Sequence, residues 1–126
     1  MSGSSIEGRP LRSLNILVVD TDSEIWALMC DYFREQGHRV AETDNWQDAL
    51  KQMHVDNFDT VLMELQLPAM DCVEAARRLR AEGRLAATAL FAFKGSAAPE
   101  GFNANLFTEV LRKPMTPKAV LAHIWR

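Results

Sequence analysis

Ile16-Leu17-Val18-Val19-Asp20 is an unbroken apolar run that ends on a carboxylate, and Thr60-Val61-Leu62-Met63-Glu64 repeats the arrangement further along the chain. A strand with one solvated face alternates apolar and polar residues. One that is apolar at every position is buried on both faces, as in a parallel sheet covered by helices. Ala89-Leu90-Phe91-Ala92-Phe93 is a third run of this kind. Amphipathic stretches separate the runs, so the chain reads as alternating strands and helices.

Working outward, the segment after Asp20 carries Ile25, Leu28, Met29, Tyr32 and Phe33 at helical spacing and stops at Gly37, with Asp22 and Ser23 as candidate caps. His38 to Glu42 is a polar strand and so belongs at an edge, and Trp46 to His54 is a short helix with Ala49, Leu50 and Met53 inward. Pro68 interrupts the chain after the second apolar run, and Val73, Ala76 and Leu79 mark a helix that ends before Gly83. Gly95, Pro99 and Gly101 leave room for only a short helix after Phe93. Glu109-Val110-Leu111-Arg112 is a charged edge strand, and Thr116 to Trp125 a last helix with Val120, Leu121 and Ile124 inward. Three central and two edge strands fit a doubly wound, five-stranded parallel α/β sheet of order 2-1-3-4-5, flavodoxin-like, with right-handed crossovers and helices on both faces.

Composition limits the function. The chain has 126 residues, 14 basic and 17 acidic, with a formal charge of −3 and 48% hydrophobic content. A domain that binds nucleic acid shows a basic stripe, and a membrane span needs a longer apolar run; neither is present, so no nucleic-acid or membrane partner is expected. Cys30 and Cys72 are too few for a disulfide framework and read as free thiols in a cytoplasmic protein. Ile6-Glu7-Gly8-Arg9 looks like a factor Xa cleavage site, so residues 1–9 read as an expression tag with a protease site and 10–126 as one domain. His38, His54 and His123 have no metal-ligand spacing, and no nucleophile triad or Gly-rich phosphate loop is present, so the chain is not expected to be an enzyme.

In a sheet of this order, ligands bind at the carboxyl ends of the strands beside the point where the order reverses. The residues there are Asp20, Glu64 and Lys113, two acids and a lysine, which is the chemistry of Mg²⁺ and a phosphoryl group. Ile16 to Asp20, Phe58-Asp59-Thr60-Val61-Leu62-Met63-Glu64, Leu67-Pro68-Ala69-Met70-Asp71 and Leu111-Arg112-Lys113-Pro114 together resemble the response-regulator receiver domain of two-component signalling. The resemblance runs from Asn15 to Ile124 and makes 10–126 a single receiver-like domain.

The resemblance implies transfer of a phosphoryl group from a histidine kinase to an aspartate at the end of strand three. It also implies Mg²⁺ on an acid pair after strand one, a Thr or Ser after strand four and a Lys after strand five. Asp20 and Lys113 match that pattern, whereas Glu64 stands at the acceptor position, Thr21 at the second acid, Lys94 at the Thr/Ser position and Val110 in place of an aromatic. The extra methylene of Glu64 moves its carboxylate roughly 1.5 Å outward, which spoils in-line attack within ~3.5 Å. Glu64 then either mimics the modified state with one charge or pairs with Lys113. Thr21 removes a carboxylate, and Lys94 adds a cation that either pairs with Glu64 or Asp20 or extends into solvent. A site that carries a net of two negative charges in the family is thereby formally neutral. Mg²⁺ is expected to bind weakly at Asp20 and Glu64 or not at all, and no other cofactor is implied. Asp22 is a substitute ligand or, more simply, a helix cap. Cys72 replaces a Gly common in the family and reads as a tolerated small residue rather than a redox sensor.

The expected function is that of an atypical pseudo-receiver, a phosphorylation-independent interaction module. The alternatives are a receiver that still accepts phosphate at Glu64 or a nearby acid such as Asp71, and a spacer or dimerising unit in a hybrid kinase or longer regulator. Partners would be a histidine kinase, another regulator or a second copy, the last meeting it through the last strand and helix near Val110, Met115 and Trp125.

Overall fold

The computed structural model describes residues 13–20, 23–65, 72–83, 87–94, 104–112 and 115–124. The elements are β1 (Asn15–Val19), α1 (Ser23–Glu35), β2 (Arg39–Thr43), α2 (Trp46–Val55), β3 (Thr60–Glu64), α3 (Cys72–Ala81), β4 (Ala89–Lys94), β5 (Glu109–Arg112) and α4 (Pro117–Ile124). A short 3-10 turn, Ala104–Leu106, precedes β5. The strands form one parallel sheet of order β2-β1-β3-β4-β5, as the burial pattern demanded.

The unbroken apolar runs are explained by two separate core layers. Leu17, Val19, Val61, Met63, Leu90 and Ala92 point to one face, where Trp46, Ala49 and Met53 of α2 and Ala75, Ala76 and Leu79 of α3 cover them. Ile16, Val18, Leu62, Phe91 and Phe93 point to the other, beneath Met29 and Phe33 of α1 and Val120 and Leu121 of α4. β2 is only partly buried along its length, which fits its polar sequence and edge place.

Local signals set the helix ends. The Asn45 side-chain oxygen accepts the Asp48 N–H at 2.7 Å and caps α2. The hydroxyl of Thr116 does the same for Ala119 at the start of α4. α1 ends where Gly37 takes a φ of +96°, a left-handed conformation that a side chain resists; the His38 N–H then reaches back to the Phe33 carbonyl.

The inward face of α1 differs from the one expected. Trp26, Met29, Cys30 and Phe33 are buried, Tyr32 is half-covered, and Leu28 is 70% exposed; the Ile25 side chain lies outside the described set. Turning the helix by one position exposes a leucine but buries an indole, and an aromatic side chain carries about 150–250 Å² of surface. The larger apolar group takes the core. β4 also runs one residue past the expected Phe93, to Lys94. The expectations for Asp22, for a helix over 95–103 and for residues 1–9 lie outside the described residues.

At the amino edge of the sheet, Asp59 and Asn15 hold β1 to the start of β3. The Asn15 N–H donates to the Asp59 carboxylate at 2.8 Å, and the Asp59 N–H donates to the Asn15 carbonyl. Buried Cys30 is a free thiol, pushed up to about 12 by burial and then by the nearby Glu42 carboxylate, so it is inert as a nucleophile.

Candidate functional site

β1 and β3 deliver their last residues to the same level. Val19 is in register with Met63, so Asp20 and Glu64 occupy the next rung at the carboxyl edge, next to the point where the strand order reverses. Both are buried, with Glu64 only 4% exposed and Asp20 9%. The Asp20 N–H donates to the Thr43 carbonyl at 3.1 Å, tying the end of β1 to the end of β2. Two carboxylates at one buried level are costly in a low dielectric, so cations, hydrogen bonds or protons must compensate them.

The register identifies a neighbour that the sequence reading missed. Glu64 is paired with Phe93, and the Leu65 N–H donates to the Phe93 carbonyl at 3.2 Å; Lys94 stands one rung further on, in register with Arg112. Phe93 is 2% exposed, and the indole of Trp26 meets its ring edge-on, with centroids 4.8 Å apart and planes at 89°. The acid at the end of β3 is therefore flanked on the β4 side by an aromatic pair. Nothing in the sequence marks this pairing, because the register of parallel strands is not fixed by a turn between them.

Thr21, Asp22, Asp71, Lys113 and Trp125 lie outside the described residues, as does the side chain of Lys94. Val110 and Met115 are half-buried, Val110 against the α2–α3 layer and Met115 against the α1–α4 layer. His123 of α4 reaches the Glu109 carboxylate of β5 at 2.8 Å and joins that strand to that helix. Among the described residues no three His, Cys, Asp or Glu side chains gather as a metal site, and no helix is long and apolar enough to cross a membrane.

The family model of the response regulator receiver domain matches residues 16–125. The chain belongs to this family. The receiver is 28% identical over 111 residues to the transcriptional regulatory protein ResD of Bacillus subtilis, covering 86% of this chain and 45% of that protein. It is likewise 28% identical over 114 residues to SrrA of Staphylococcus aureus, covering 89% of this chain and 46% of that one. The receiver thus spans about half the length of these curated relatives.

Solved structures agree on the fold. The chemotaxis response regulator CheY4 of Vibrio cholerae superimposes with a TM-score of 0.79 at 18% identity, over 91% of this chain and 98% of that one. The receiver domain of the sensor histidine kinase PA1611 of Pseudomonas aeruginosa, described with a magnesium ion coordinated in its active-site cleft, gives 0.75 at 21% identity over 91% and 97%.

Proposed function

We propose that this receiver domain is an interaction module of two-component signalling that works without a phosphorylation cycle. The observation that carries the reading is Glu64, a buried glutamate closing β3 at the level of Asp20, where the family resemblance expects an aspartate acceptor. Its carboxylate projects one methylene too far for in-line attack, since reacting atoms must meet within about 3–3.5 Å. A carboxylate held there permanently gives the cleft a fixed negative group in place of a transient phosphoryl one.

The donor set does not fit a tightly held Mg²⁺. That ion takes six oxygens in near-octahedral geometry and depends on carboxylates for charge. Asp20 and Glu64 offer two, and the residue after Asp20 is Thr21. With Lys94 and Lys113 also at strand ends in the sequence, the site is formally neutral and holds little attraction for a dication.

The partner in this reading is a histidine kinase, another regulator or a second copy of the domain. The β5 edge and α4 serve it, with Met115 partly open on the α4 side, half-buried Val110 on the opposite face of the same edge strand, and the His123–Glu109 contact joining strand to helix. Incubation with acetyl phosphate, or with beryllofluoride and Mg²⁺, tests the proposal by intact mass and by NMR shifts. The chain is expected to keep its mass and its spectrum. A labile phosphate on Glu64 or Asp71, or Mg²⁺-dependent shifts centred on Asp20 at physiological Mg²⁺, would establish a working phosphoacceptor instead.

A further inference from the structure

In a parallel sheet, residues in register stand about 4.8 Å apart and send their side chains to the same face. Glu64 and Phe93 are such a pair. Position 64 alternates with Met63 and so shares the face of Leu62, which is also the face of Phe93. Whatever is bonded to or held against the Glu64 carboxylate on its β4 side therefore meets the Phe93 ring. That ring cannot easily yield, because Trp26 presses on it edge-to-face at 4.8 Å, and Leu111, Val120 and Leu121 belong to the same buried layer.

We infer that Phe93, pinned by Trp26, is an apolar plug that excludes a tetrahedral oxyanion from the cleft beside Glu64. The inference rests on the reading that the chain does not take a phosphoryl group, and it supplies a second, steric reason beside the missing charge. A phosphoryl-sized anion carries nearly two charges and three acceptor oxygens. Against the Phe93 ring it loses hydration and gains no donor from that ring. The plug also ties α1 to the cleft, since Phe93 leaves its place only if Trp26, and with it the start of α1, moves away.

The test restores the acids and varies the plug. Beryllofluoride with Mg²⁺ is titrated into the unaltered chain, the Thr21→Asp/Glu64→Asp variant and the same variant carrying Phe93→Thr, with adduct followed by fluorine NMR and Trp26 environment by fluorescence. The unaltered chain is expected to stay empty and the double variant to bind poorly. The Phe93→Thr addition should tighten binding at least about tenfold, the scale of one new hydrogen bond to a charged group. Equal binding by the double and triple variants, or none by either, overturns the plug. Adduct on the unaltered chain instead overturns the functional reading on which it rests. Where Phe93→Thr does not fold, Trp26→Leu in the double variant releases the ring while keeping the layer filled; a gain in affinity supports the plug and no gain overturns it.

Discussion

His38 Nδ1 accepts the backbone N–H of Leu14 at 3.0 Å inside the protein, joining the residue before β1 to the residue before β2. The Arg39 N–H, one position on, donates to the Leu14 carbonyl at 2.9 Å, so both polar groups of Leu14 are satisfied from the same turn. An imidazole can accept at Nδ1 only while that nitrogen is unprotonated. Burial also pushes the His38 pKa below its ordinary 6.5, because a charged ring there loses hydration.

The first prediction is a loss of stability in mild acid. The unfolded chain takes up a proton on His38 at the ordinary pH and the folded chain only at lower pH, so the unfolded state binds more protons in between. Stability contributed by neutral His38 is therefore present above pH 6.5 and declines as the pH falls below it toward the depressed folded value. Urea unfolding at a series of pH values checks this against His38→Asn, whose amide oxygen accepts the same N–H without titrating. The stability advantage of the unaltered chain over His38→Asn should shrink as the pH falls below 6.5. A constant difference would remove His38 from the account.

Removing the acceptor altogether leaves a buried donor unpaired. His38→Ala should cost about 1–3 kcal/mol at neutral pH, and His38→Asn clearly less. Denaturant midpoints for the pair measure the difference.

The faces of α1 give a second prediction. Leu28 is mostly exposed and Met29 is buried to within 4%. Leu28→Ala should change stability by no more than about 0.5 kcal/mol, whereas Met29→Ala should cost about 2–5 kcal/mol. Comparable losses at the two positions would mean that α1 presents a different stripe to the sheet.

A third prediction concerns α2, whose start is capped by the Asn45 side chain. Asn45→Ala removes the acceptor for the Asp48 N–H and should cost about 0.5–2 kcal/mol, with Asn45→Ser recovering most of it. Thermal unfolding of the two variants reads the effect.

These residues also show what could be read in advance. The central strands were legible because burial on both faces leaves no polar position in Val61-Leu62-Met63 or Leu90-Phe91-Ala92, and the polar β2 and β5 could lie only at the edges. Asp20 and Glu64 followed, since they end the two strands beside the reversal. The inward stripe of α1 did not, because Leu28 and Trp26 both allow an apolar helix face, and which one turns inward depends on Phe93 across the layer. Phe93 was likewise hidden as a neighbour of Glu64. Register between parallel strands is set by long crossovers rather than by a turn, and a shift of one residue exchanges Phe93 for Lys94 beside the acid.

The last prediction tests the proposal that charge makes Mg²⁺ binding weak in this cleft. Replacing Thr21→Asp, Glu64→Asp and Lys94→Thr together restores a carboxylate, shortens another and removes a cation, taking the formal site charge from neutral to a net of two negative charges. Each unit of charge is worth up to about 4 kcal/mol at 4 Å with an effective dielectric near 20, several times the 1.4 kcal/mol that makes a factor of ten. Mg²⁺ titration followed by NMR should show affinity rising by at least about tenfold, with the shifts centred on Asp20. The rise should shrink as ionic strength increases, since part of the attraction is screened. A triple variant that folds and binds Mg²⁺ no better than the parent would overturn the charge account.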